Sequence, residues 1–165
     1  MRFAMRPEQL DFIDRAPMVQ RVEAALASAP DAVFAALADA EGWARWFPGV
    51  RAAWYATAPP HGVGAIRESD VSGTHWVERM IVWDEPSRWA WTVTAASVPF
   101  ATAQVESFEL YPTPTGTAVR WTIALEPRLL ARLGRPWMQR TTAALFQRAM
   151  RHLDAQLGHR PAAHA

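Results

Sequence analysis

The sequence predicts an α+β domain in which a curved antiparallel sheet wraps around one long C-terminal helix. The first observation is the run from Pro136 to Leu157. At helical spacing Met138, Thr142, Leu145, Ala149, Leu153 and Leu157 fall along one face with Phe146 and Met150 at its edge, while Arg140, Arg148, Arg151 and Asp154 point away. The second is a series of about six strand-length segments between Val50 and Glu126, joined by links short enough for hairpins. Such strands form a sheet with one face in need of cover, and the last helix is the one large element available to cover it. The third is tryptophan, nine residues in a chain of 165 that is half apolar. An indole is bulky and carries an N–H that asks for a partner, so this many implies a large core or an aromatic wall around something that is not protein.

Taken in order, Glu8 to Ile13 reads as one helical turn that would pack across an open end. Val19 to Ala27 alternates as a strand. Ser28 and Asp31 stand at capping-box spacing around Pro30, which predicts a helix with Val33, Phe34 and Leu37 on its buried side and Gly42 at its end. Trp43 to Phe47 forms a second short helix closed by Pro48-Gly49. Strands are then expected over 50–55, 64–70, 74–83, 88–95, 101–111 and 117–126. The turns between them carry Pro59-Pro60, Ser72-Gly73, Asp84-Glu85-Pro86-Ser87 and Pro112 to Gly116.

Composition narrows the function. A formal charge of +1 argues against nucleic acid as a partner, although the last helix carries a basic face. The absence of cysteine removes disulfides, thiolate catalysis and thiolate metal sites. No run approaches the roughly 18 apolar residues of a membrane span, and the first residues lack an export signal, so a cytoplasmic protein, monomer or homodimer, is expected. None of the five histidines has a partner at metal-ligand spacing, and no metal is expected. Gly62-Val63-Gly64 lacks the third glycine of a dinucleotide fingerprint, no phosphate loop is present, and no serine sits on a nucleophile elbow. No cofactor is expected.

The run from Ala29 to Asp39, followed by Trp43-Ala44-Arg45-Trp46-Phe47-Pro48-Gly49-Val50, resembles the opening of the START-like (SRPBCC) superfamily, in particular its polyketide cyclase/dehydratase-like branch. Gly62-Val63-Gly64, Glu78, Asp84 to Trp89 and Gly116 to Trp121 resemble later landmarks of that family in the same order. The resemblance implies the helix-grip (START/Bet v 1-like) fold with a hydrophobic tunnel between sheet and helix. It places a ligand-binding domain over residues 17–158, an N-terminal extension over 1–16 and a flexible tail over 159–165. The superfamily includes lipid carriers, hormone receptors and aromatase/cyclases, so the reaction, where there is one, must be read from the site.

Strand alternation supplies the candidates. Trp76, Glu78, Met80 and Val82 share one face; Trp89, Trp91 and Val93 another; Gln104, Glu106, Phe108 and Leu110 a third; and Val119, Trp121, Ile123 and Leu125 a fourth. Trp76, Met80, Trp91, Phe108 and Trp121, with Met138, Thr142 and Leu145 on the helix, are the candidate ligand-binding wall. The alternative is a solid core of the same residues. Glu78 and Glu106 are the candidate catalytic acids, with Glu68 and Asp70 as competitors. Arg67, Arg79 and Arg120 are the available countercharges, because a buried carboxylate must be paired or shift its pKa. The other register makes these carboxylates cross-strand partners on the solvent side. Three functions are compatible: a carrier or sensor of a small hydrophobic, aromatic or isoprenoid molecule; a cyclase/aromatase or dehydratase using a cavity carboxylate; and a protein-interaction module built on the basic helix face and Trp83.

Overall fold

The computed structural model describes residues 1–128 and the helix over 135–158; the side chains of residues 135–139, Met138 among them, and the tail over 159–165 lie outside the described residues. The elements run β1 (Phe3–Ala4), α1 (Phe12–Arg15), β2 (Met18–Leu26), α2 (Pro30–Ala38), a 3-10 turn (Ala40–Gly42), α3 (Trp43–Trp46), β3 (Val50–Tyr55), β4 (Ile66–Val71), β5 (Thr74–Asp84), β6 (Arg88–Ala96), β7 (Ala101–Thr113), β8 (Gly116–Pro127) and α4 (Arg135–Gly158). All strand pairs are antiparallel, in the order β2-β8-β7-β6-β5-β4-β3, with β1 added to the end of β6. This is the helix-grip architecture. The hairpin between β4 and β5 turns on Ser72 (φ 49°) and Gly73 (φ 81°), and two successive positive φ angles match the right-handed twist of the flanking strands.

The sheet grips α4 through Phe146, Ala149, Met150 and Leu153, all fully buried in the main core. The buried stripe is therefore centred on Phe146 and Met150, expected at its edge, while Thr142, Leu145 and Leu157 lie half-buried beside it. Asp154 does not face away. Its Oδ1 accepts from the backbone N–H groups of Ala27 and Ser28 (3.0 and 3.2 Å) and from the Ser28 hydroxyl (3.0 Å), tying the helix to the end of β2. Ser28 consequently does not cap α2, whose N-cap is Ala29 without a side-chain bond. The helix begins at Pro30, so the N-cap position falls on Ala29 and Ser28 stands one residue ahead of it.

The N-terminal segment covers the outer face of the sheet instead of closing an open end. Phe12 packs with Ala103, Val105 and Ala124, residues that point away from the main core. The Glu8 N–H donates to Thr92 Oγ1, and the Glu8 carboxylate accepts from Arg6 (2.7 Å) and Arg15 (2.5 Å). These bonds hold Glu8 below the usual carboxylate range, chiefly the one from Arg6. With both faces covered near its middle, β6 is buried from Trp89 through Val93, yet its alternation holds: Trp89, Trp91 and Val93 enter the main core, while Thr92 meets the N-terminal segment on the other face.

Candidate functional site

The concave face of the sheet, α3 and α4 enclose a cavity of about 210 Å³. Strand alternation builds its wall. Arg67 and Ser69 come from β4, Trp76 and Glu78 from β5, Trp91 from β6, Gln104 and Glu106 from β7, and Trp121, Ile123 and Leu125 from β8. Trp43 of α3 and Phe47 just after it close one side, and Thr142 and Leu145 of α4 another. The two short helices set the aromatic pair in place: the Trp43 indole N–H donates to Leu37 O (2.8 Å), and its ring stacks on Phe47 at 5.3 Å.

Arg67 and Glu78 stand directly opposite each other in the β4–β5 register, and Arg67 Nε donates to Glu78 Oε2 at 2.6 Å. Both are deeply buried, at 2% and 5% relative exposure. The guanidinium carbon lies 4.5 Å from the Trp43 ring centre and 4.7 Å from those of Trp89 and Trp91, so three indoles enclose the cation. An arginine fits here where a lysine would not, because its flat, weakly hydrated group can pair with a carboxylate and stack on rings at once.

Glu106 is held differently. It faces Ile123 across the β7–β8 ladder, which brings Trp121, two residues along, into diagonal reach. The Trp121 indole donates to Oε2 at 2.8 Å, and the Gln104 amide, on the same face of β7, donates to Oε1 at 2.5 Å. Neither partner carries charge. Burial pushes the Glu106 carboxyl up to about 7, with the charge of Glu78 adding to the rise and the bonds from Gln104 and Trp121 and the charge of Arg67 opposing it.

Of the residues singled out from sequence, Trp76, Trp91, Trp121, Thr142, Leu145, Glu78 and Glu106 line one cavity. Met80 and Phe108 share their face yet sit behind the wall. Phe108 is wholly buried, stacked on Trp121 at 5.6 Å and Trp91 at 5.9 Å. Arg120 lies on the outer face, where it donates to Glu23 at 2.7 Å. The competing acids also point outward: Asp70 and Glu68 each lie 2.8 Å from a ring nitrogen of His75. Trp83 is half-buried against Phe34 (6.1 Å) and Trp89 (6.3 Å), not an exposed docking residue. Trp43, Phe47 and Ser69 join the wall without being sequence candidates. The first two are legible only as helix faces, and Ser69 only once Arg67 is known to point inward.

An antiparallel sheet closed on a C-terminal helix over a lined cavity is the START-like fold. Residues 19–158 match the model of the family described as polyketide cyclase / dehydrase and lipid transport, and the chain belongs to that family. An uncharacterized protein of Mycobacterium tuberculosis is 28% identical over 116 residues, 70% of each chain. A START superfamily protein from Mycobacterium smegmatis superposes with a TM-score of 0.67 at 15% identity over 86% of this chain and 96% of that one, a likeness of fold. A solution structure from Thermobifida fusca gives a TM-score of 0.66 at 25% identity, over 85% and 93% of the two chains. Among the described residues, no helix is long and apolar enough to cross a membrane.

Proposed function

We propose that this protein binds a small, predominantly apolar molecule in the cavity, as a carrier or sensor. The observation that carries the reading is the cavity itself, about 210 Å³ walled mostly by indoles and aliphatic side chains, with its charged groups on β4, β5 and β7. An apolar cavity of about 150 Å³ holds benzene, and drug-sized pockets run to roughly 300–1,000 Å³, so a one- or two-ring aromatic or a short isoprenoid is the matching size. Ala53 of β3 lines the cavity, and leucine there fills the space without removing any existing contact. Calorimetric titration with 2-naphthylmethanol is expected to show saturable 1:1 binding that Ala53→Leu weakens roughly tenfold or more with no loss of thermal stability. Equal affinity in the two proteins would place the probe elsewhere and remove the reading.

A second reading, an acid/base enzyme of the cyclase or dehydratase kind, is favoured by one observation: the Glu106 carboxyl is buried in the cavity wall with two uncharged donors on its oxygens, and burial pushes it up to about 7. A group that is partly protonated at the working pH can both take and give a proton. Glu78 suits that role less, since it serves as the counter-ion of Arg67. Given a turned-over substrate, Glu106→Gln is expected to lower kcat/KM by about 10²–10⁴ with binding retained; wild-type turnover in that variant would remove Glu106 from the chemistry.

A further inference from the structure

Among the described residues that line the cavity, three carry charge: Arg67, Glu78 and Glu106. The cation among them has its Nε on Glu78 and its faces against three indoles, while its Nη1 is buried with no hydrogen-bond partner among the described residues. Arg67 and Glu78 cancel as a pair, which leaves the Glu106 carboxylate as a wall charge with no ion-pair partner among the described residues. Its two partners, Gln104 and Trp121, are neutral donors, one to each oxygen. A carboxylate has about four lone-pair sites, so each oxygen retains room for another donor. Trp76, Trp91 and Trp121 line the same space, and indole rings attract organic cations, more strongly when water is excluded.

We propose that the cavity takes an apolar amine, bound as its ammonium with Glu106 as counter-ion, in preference to a neutral or carboxylate-bearing molecule of the same shape. This rests on the ligand-binding reading above and names the chemical class of its ligand. An ammonium gives Glu106 a charged partner that the described wall residues do not supply, whereas a carboxylate meets two acids against one guanidinium that already holds Glu78. Buried charges are stable when paired and hydrogen-bonded, and the amine meets both conditions.

The test uses three probes built on one ring system: 2-naphthylmethylamine, 2-naphthylmethanol and 2-naphthoate, titrated calorimetrically at pH 7.5 into the wild type and Glu106→Gln. In the wild type the amine is expected to bind tightest and the carboxylate at least roughly a hundredfold more weakly than the amine. In Glu106→Gln the ratio of alcohol to amine dissociation constants is expected to fall to near one. Alcohol or naphthoate binding as tightly as the amine in the wild type, or an amine preference that survives Glu106→Gln, overturns the proposal while the cavity reading stands. Binding of none of the three overturns both.

Discussion

Arg67→Ala is expected to destabilise the fold by about 3–5 kcal/mol, the cost of breaking a buried ion pair from one side. The substitution leaves Glu78, at 5% exposure, without its 2.6 Å partner. It also takes a flat cation from between Trp43, Trp89 and Trp91, and those rings then border empty space. Urea unfolding measures the loss. The pair and the isolated charge are separated by a second variant, Arg67→Met combined with Glu78→Leu, which replaces both charges by apolar groups of similar bulk. That protein is expected to recover most of the stability, since an apolar substitute for a buried pair is often neutral or better. A loss under about 1 kcal/mol in Arg67→Ala would mean that Glu78 finds water or another donor, and that the ion pair does not organise this wall.

The same pair shows how far the sequence could be read. The inward set on β5, with Trp76, Glu78 and Met80 together, follows from period-two alternation, which is intrinsic to an extended chain. Alternation also turns Arg79, the next residue, to the other face; that Arg67, not Arg120, meets Glu78 depends on register between strands, which the two-residue turn at Ser72-Gly73 determines and alternation does not. Helix-grip topology was legible from element order and the one-sided C-terminal run. Depth was not. Phe108 and Trp121 share a face pattern, yet the first is packed behind the second, because sheet curvature decides which inward residue reaches the hollow and which is covered. The outer role of Phe12 and Glu8 was hidden for a related reason: a short segment with few apolar residues gives no sign of which sheet face will receive it.

Stability should also depend on pH through Glu106, in the direction opposite to that of an ordinary paired carboxylate. Burial raises its carboxyl from 4.5 to about 7 in the folded protein, while in the unfolded chain it titrates at its usual value. Between these values the native state holds a proton that the unfolded state has released, so the contribution is fully present below the unfolded pKa and is lost as pH rises through the folded one. Its size is about 3 kcal/mol, since the two protonation states diverge by about 1.4 kcal/mol for every pH unit between the unfolded and folded values. Glu8 and Glu126, held below their usual range by Arg6, contribute in the other sense and lose their stabilisation in acid, so the wild-type profile alone mixes the two effects. The difference between wild type and Glu106→Gln isolates the buried group. Measured by urea unfolding, that difference is expected to turn against the wild type by about 3 kcal/mol between pH 4.5 and about pH 8. A difference that stays flat across this window would show that Glu106 is ionised throughout. The indole of Trp121 and the amide of Gln104 would then be sufficient to hold a buried carboxylate.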